Sequence, residues 1–258
     1  MRGITRLVFL SFLLSFGSIS GSISQTPPHV DKTEQLVAEV VQAARTNQLS
    51  AERVLYAADQ AIDAAAVIVS SIQNSRLIHS ELRRLATGVP GARAIIVIGP
   101  DGKLNHDSYK YPALAVDLSD RAYFKEALTR SGLVIGQRAI GRTSGAAFIP
   151  LAKRLGTLTY VIVTTPYALV DVQSECGDCW SLAVQQGGKI VTMFPPEAEV
   201  SPNLLDVALK SNATTGVRVA RYLNSVVAIA WRKSADFQMT SVSVRGLPDT
   251  AAVDIDIH

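Results

Sequence analysis

Histidine and cysteine are scarce in this sequence, with four of the first and two of the second in 258 residues. His29, His79, His106 and His258 are scattered, and none stands at the spacing of a metal site. No G-x-S-x-G surrounds a serine, because Ser144 follows Gly141 at the wrong distance. No carboxylate pair stands out for acid–base work. Metal, nucleophilic and glycosidic chemistry therefore have no visible carrier, and neither an enzyme nor a cofactor is expected. A phosphate loop is excluded as well. Gly141 to Gly145 lacks the G-x-x-x-x-G-K-[ST] spacing and a following helix, so it reads as a hairpin turn.

Excess charge is also missing. The chain has 25 Lys+Arg and 22 Asp+Glu, a net +3. Residues 1–24 hold Arg2, Arg6 and no acid, so their removal leaves 23 basic residues against 22 acidic. Nucleic acid is excluded as a partner on that balance. Long apolar runs are confined to the N-terminus: "AIDAAAVIVSSI" contains Asp63, and "LTYVIVTTPYALV" is interrupted by threonine and proline.

What is present begins with "MRGITRLVFLSFLLSFGSISGSISQT". Arg2 and Arg6 precede an apolar stretch, Leu7 to Phe16, and then two small-x-small triplets end at Ser20 and Ser24. This is the layout of a secretory signal over residues 1–24. An uncleaved N-terminal anchor is the other reading, and no cysteine follows that would carry a lipid. A periplasmic or secreted location is expected. In such a compartment Cys176 and Cys179 of "ECGDCW" read as a small structural disulfide, with a redox C-x-x-C as the alternative.

Residues 25–90 read as a linker followed by helices. "TEQLVAEVVQAARTN" forms one, and a longer one starts at Ser50 as its N-cap. In the latter, Val54, Leu55, Ala58, Ile62, Ala65, Val69 and Ile72 mark one apolar stripe. "SRLIHSELRRLATG" closes at Gly88 before Pro90. From Ala92 the texture is strand-like: "ARAIIVIG", "KLNHDSY", "LVIGQRAIG", "AAFIPLAKRL" and "LTYVIVTTPYALV". The last three form an antiparallel meander. "DLSDRAYFKEAL" between them reads as a short helix capped by Asp117 or Ser119. A smaller set follows, with a hairpin around Gly187-Gly188, a helix "SPNLLDVALKSN" capped by Ser201, and three more strands. The predicted units are 91–172 and 173–246, with a loose tail at 247–258.

Asp120–Phe124 spells D-R-x-Y-F, and Gly141–Gly145 spells G-R-x-S-G before a strand. In this order, the stretch from Ala92 to Asp171 resembles the membrane-distal half of a double Cache domain. This is the extracytoplasmic, PAS-like sensor class of bacterial chemoreceptors, histidine kinases and diguanylate cyclases. The likeness covers roughly residues 33–245, and "RTSG…IPLAKRL" is closest to domains that precede diguanylate cyclases. It implies an α+β fold, with a long N-terminal helix carrying two PAS-like antiparallel-sheet subdomains. It implies signal transduction through a ligand pocket in the distal unit, walled by Arg121, Tyr123 and Phe124. A homodimer through the long helix, whose Ala57–Ala66 stretch permits close approach, is implied too. The ligand-ammonium aspartate that amino-acid-binding members carry on the last distal strand is replaced here by Thr164 and Thr165. The chain also ends at His258 without a second membrane helix or output module. A free binding subunit, a partner of a separate receptor, kinase or cyclase, or a receptor remnant are the expectations that follow.

The residues point the same way. A guanidinium is a planar donor fork suited to a carboxylate. Tyr123 and Phe124 supply flat apolar walls. Arg138, Arg142 and Lys153 add positive charge on the strands that follow. A small anionic organic ligand, a carboxylate or an amino acid, is expected at Arg121, Tyr123, Phe124, Arg138, Arg142 and Thr164. Two alternatives stand beside this. Arg121 pairs with Asp117 or Asp120 and Tyr123 is core, or the protein is an accessory interaction subunit without a ligand.

Overall fold

In the computed structural model, which describes residues 31–172, 176, 178–198 and 200–257, Lys32–Ser71 is a single helix, α1. The signal or anchor segment 1–24 lies outside the described residues. Two helices meeting at Ser50 were expected, and the structure joins them. No glycine or proline interrupts residues 32–71. The buried stripe runs through the junction at helical spacing, as Val40, Ala44, Asn47, Ala51, Val54 and Ala58. Ser50 is therefore interior, and Asp31 caps the helix by accepting the Thr33 N–H at 3.1 Å. Forty residues make a rod of about 60 Å, long enough to carry two domains. By length and composition α1 could also cross a membrane, contrary to the reading that no later segment is suited to one. Here its stripe packs on protein. A second helix, α2 (Ser75–Thr87), lies against it, capped by Asn74.

The first sheet contains β1 (Ala92–Ile98), β2 (Leu104–Asp107), β3 (Val134–Ile135), β4 (Ala139–Ile140), β5 (Ala147–Leu155) and β6 (Leu158–Thr164). Their order is β2-β1-β6-β5-β3, with β4 also on β5, and all pairings are antiparallel. Strand alternation divides the side chains. Ile95, Val97, Ile149, Leu151, Tyr160 and Ile162 face α1 and α2 in one core. Ile96, Ile98, Phe148, Ala152 and Val161 face the other way, onto α3 (Ala122–Thr129).

The second sheet runs β12-β9-β10-β11-β7-β8. Its strands are β7 (Trp180–Gln185), β8 (Ile190–Phe194), β9 (Thr215–Tyr222), β10 (Ser225–Lys233), β11 (Met239–Leu247) and β12 (Ile255–Ile257). One face packs on α1 through Val40, Ala43, Ala44, Ala228 and Ala230. The other packs on α4 (Pro202–Leu209) through Leu204, Leu205 and Ala208, with Ser201 as the cap. The tail was expected to be loose, but β12 adds in parallel to β9. The edge of β9 would otherwise leave its backbone groups unpaired. Asp254 fixes the entry: its carboxylate accepts the Val219 N–H at 2.9 Å, and its own N–H donates to Val219 O at 2.8 Å. The fold is thus α+β, a long N-terminal helix with two antiparallel-sheet subdomains.

Asn47 joins the parts. It is fully buried. Its amide donates to Ser181 Oγ at 2.8 Å and Ser243 Oγ at 3.0 Å, and its Oδ1 accepts the Asp171 N–H at 2.6 Å. One side chain of α1 therefore holds β7, β11 and the segment between the two sheets.

Cys176 and Cys179 form a disulfide with Cα atoms 5.3 Å apart. Arg245 bonds Cys176 Sγ at 3.4 Å and also pairs with Glu39 of α1. The bridge closes a very short loop, so removing it with Cys176→Ser and Cys179→Ser together should cost no more than about 2 kcal/mol. A denaturant midpoint of the double variant against the parent checks this.

Candidate functional site

The face of the first sheet away from α1 carries a cavity of about 470 Å³. Its apolar lining comes from Ala94, Ile96, Leu104, Phe148 and Val163, and its charged lining is Arg93, Asp107, Arg121 and Arg142.

The wall built by "DLSDRAYF" is mostly loop. Asp117 or Ser119 was expected to cap the helix, but α3 begins only at Ala122, behind Arg121, with no side-chain cap. Asp117 instead folds onto its own loop, where its Oδ1 accepts the Ser119 N–H at 2.8 Å. Hydrogen bonding from Ser119 holds that carboxyl below its usual range. The loop is pinned to the β1–β2 turn, with Leu118 N–H donating to Gly102 O at 2.8 Å. Gly102 sits at φ +78, and a Cβ there would lie 2.7 Å from Ser119 Cα. Both the dihedral and the close approach require glycine.

Arg121 is half-buried. Its Nη2 donates to Ile140 O at 3.0 Å. Its Nε is buried and has no hydrogen-bond partner among the described residues. It makes no ion pair with Asp117 or Asp120 there. Asp120 pairs instead with Arg142, at 2.5 Å, and Arg142 also donates to Asp117 O. The two arginines divide the work: Arg142 closes the loop, and Arg121, which also lines the cavity, keeps one buried donor without a partner among the described residues.

Tyr123 lines the cavity, 5% exposed, and meets Phe148 edge to face at 6.1 Å between ring centroids. Burial pushes its phenol up, and the nearby Arg121 charge opposes this. The other expected residues lie elsewhere. Phe124 is buried beneath the cavity, in the core formed with Val134 and Phe148. Arg138 is exposed between β3 and β4 and does not line the cavity. Thr164 is fully buried on the opposite face, its hydroxyl donating to Ile149 O at 2.8 Å. Lys153 also points to the α1 side, where it pairs with Asp59 and Asp63 at 2.8 Å each. Burial works to lower the Lys153 ammonium, and the bonds from the two aspartates raise it overall. Strand alternation explains both displacements. Lys153 follows Ile149 and Leu151 by twos, and Thr164 follows Tyr160 and Ile162 by twos, so each shares the α1 face.

Among the cavity residues that had not been singled out are Phe148, Asp107, Tyr109 and Arg93. Phe148 was legible in "AAFIP" as the one aromatic of β5. Asp107 and Tyr109 end the returning strand. Arg93 had no signal at all. The register slips between Ala92 and Ala94, which pair with Thr164 and Val163, so Arg93 is an extra residue in β1. Such a bulge re-aims its side chain, here to the cavity face. No histidine or cysteine lines the cavity.

No family model matches the sequence, and no curated protein matches it significantly. Solved structures do match. The extracellular domain of the histidine kinase rpHK1S-Z16 superposes with a TM-score of 0.57 at 19% identity, over 78% of this chain and 92% of that one. The ligand-binding domain of the Campylobacter jejuni chemoreceptor Tlp3, solved with 4-methylisoleucine, gives 0.56 at 14% identity, over 85% and 96%. That of the Pseudomonas aeruginosa amino-acid chemoreceptor PctC, solved with GABA, gives 0.56 at 15% identity, over 84% and 100%. At these identities the likeness is one of fold: this chain shares the α+β architecture of those domains, a long N-terminal helix with two sheet subdomains.

Proposed function

We propose that this protein is an exported Cache-type sensor whose first unit binds a small organic ligand through a carboxylate held by Arg121. The observation that carries the reading is the Arg121 Nε–H, a buried donor without a partner, on a residue lining a cavity. A buried donor left unsatisfied costs about 1–3 kcal/mol, which a ligand oxygen would recover. The apolar walls of Ile96, Phe148 and Val163 suit a short carbon skeleton. The Tlp3 and PctC structures, solved with small amino-acid-like ligands, support the same class. In this reading the signal passes to a membrane receptor, kinase or cyclase.

A thermal-shift screen of the full chain against small carboxylates and amino acids tests this. A true ligand raises the melting point with concentration, because binding the native state alone adds about 2.7 kcal/mol at a hundredfold excess over Kd. Arg121→Ala should abolish the shift, with at least a tenfold loss in affinity, about 1.4 kcal/mol or more. If no compound shifts the parent and Arg121→Ala itself lowers the melting point, Arg121 is a structural residue and the protein acts by interaction alone.

A further inference from the structure

A second cleft lies where the two sheets meet beside α1, and it holds about 420 Å³. That falls within the about 300–1,000 Å³ of small-molecule sites. Three parts of the chain wall it. Tyr56 and Asp59 come from α1. Residues 130–133 and Ile135 come from the end of α3 and from β3. Gln185, Gln186 and residues 236–238 come from the end of β7 and the turn between β10 and β11. Two hydrogen bonds tie its sides together: Arg130 Nη2 donates to Gln238 Oε1 at 2.8 Å, and Gln185 Nε2 donates to Ile135 O.

This lining differs in kind from that of the first cavity, because its charges are already engaged. Lys153 pairs with Asp59 and Asp63, Arg130 pairs with Glu126 at 2.6 Å, and the Asp236 carboxylate accepts from the Tyr56 hydroxyl. Asp59 and Asp236 balance Arg130 and Lys153 among the lining residues. A charged ligand would have to displace one of these partners. Neutral polar groups are what stay open. The side-chain amide of Gln186 and the hydroxyl of Ser131 have no hydrogen-bond partner among the described residues. Gln185 and Gln238 each use one end of the amide and keep the other. An amide offers a donor and an acceptor side by side, which matches two neighbouring hydroxyls. Next to these amides Tyr56 and Phe237 meet edge to face, 5.0 Å between ring centroids, and Tyr56 is 44% exposed. Such rings give a flat apolar surface on which the C–H face of a ligand can lie.

We infer that this cleft is a second small-molecule site, which takes an uncharged polyhydroxylated ligand, a sugar or a cyclic polyol. The glutamine amides receive its hydroxyls, and the Tyr56–Phe237 pair receives its C–H face. The assignment does not rest on the Arg121 reading, since the two sites share no lining residue. A molecule held here touches α1 and both sheets, so its binding fastens the two sheets to each other.

The test is calorimetry on the full chain with D-glucose, D-galactose, maltose, sucrose, trehalose and myo-inositol as probes. At least one should bind saturably. Gln186→Ala breaks no side-chain hydrogen bond of the fold, and it should weaken that binding about fivefold or more. Tyr56→Ala, which removes the stacking surface, should do the same, and its unfolding midpoint is measured alongside to show that the fold is kept. Amide exchange on saturation should slow both in residues 131–135 and in residues 185–186 and 237–238, a signature that binding on one sheet alone would not give. Saturable binding by no probe up to about 10 mM overturns the assignment. So does binding that Arg121→Ala abolishes and neither cleft variant changes, because the sugar would then occupy the first cavity. Either failure leaves the Arg121 carboxylate reading to its own screen.

Discussion

Asn47→Leu is expected to destabilise the protein by about 3–5 kcal/mol, the largest effect of any single change considered, because several buried polar groups lose their partner together. Leucine has nearly the same volume, so no large cavity opens and the loss isolates the hydrogen bonds. Three contacts go at once: those to Ser181 Oγ, Ser243 Oγ and the Asp171 N–H. Both serines are almost fully buried, so water cannot replace the amide. Urea unfolding followed by circular dichroism reads the effect as a lower midpoint. The three contacts lie on β7, β11 and the segment between the sheets. Asn47→Leu should therefore also loosen the second sheet from α1, seen as faster amide exchange in β7 and β11 than in β1 and β6. A loss below about 1 kcal/mol would mean that the network is not a structural tie.

Gly216→Ala is the second large effect. Gly216 lies opposite Trp231 in the β9–β10 pairing. A Cβ built there would stand 2.6 Å from the indole Cη2 and 2.8 Å from Cε2, with Cζ2 nearer still. Trp231 cannot easily move. It is 3% exposed in the core under α4, and its indole N–H donates to Ala213 O at 3.2 Å. Overpacking of this kind typically costs about 1–3 kcal/mol, and a clash with a pinned ring belongs at the upper end. Trp231 fluorescence should change with the unfolding midpoint. Adding Trp231→Phe to Gly216→Ala should recover part of the loss, because the smaller ring vacates the contested space. If the two changes are additive instead, the clash is not the cause.

The faces of the strands illustrate what could be read in advance. The apolar–polar spacing of "AAFIPLAKRL" and "LTYVIVT" places the strands, and the turns between them set an antiparallel meander. It does not say which face meets α1. Once α1 covers the face of Ile149, Leu151, Tyr160 and Ile162, period-two geometry sends Lys153 and Thr164 there with them. It leaves Phe148 and Val163 for the cavity. Thr164, expected at the ligand, and Lys153, read as added positive charge, therefore lie on the α1 face and do not line the cavity. Arg121 and Tyr123, which line the cavity, share one compact local motif, and Arg142 stands in a second, Gly141–Gly145.

By itself, then, the sequence determined the features governed by local physics. These are the apolar stripe of α1 from Val54 onward, the strands before the tail, the Ser201 cap of α4, the near-neutral charge and the D-R-x-Y-F motif. Only the tertiary structure decided the rest, and in each case through contacts between residues far apart in the chain. A bulge places Arg93, and the sheet seats Asp107 in the same cavity. Asp120 pairs with Arg142, 22 positions away, which leaves Arg121 without an ion pair among the described residues. Asn47 finds its serines 134 and 196 residues later. Pairings of this kind depend on how the elements pack, and no local spacing encodes them.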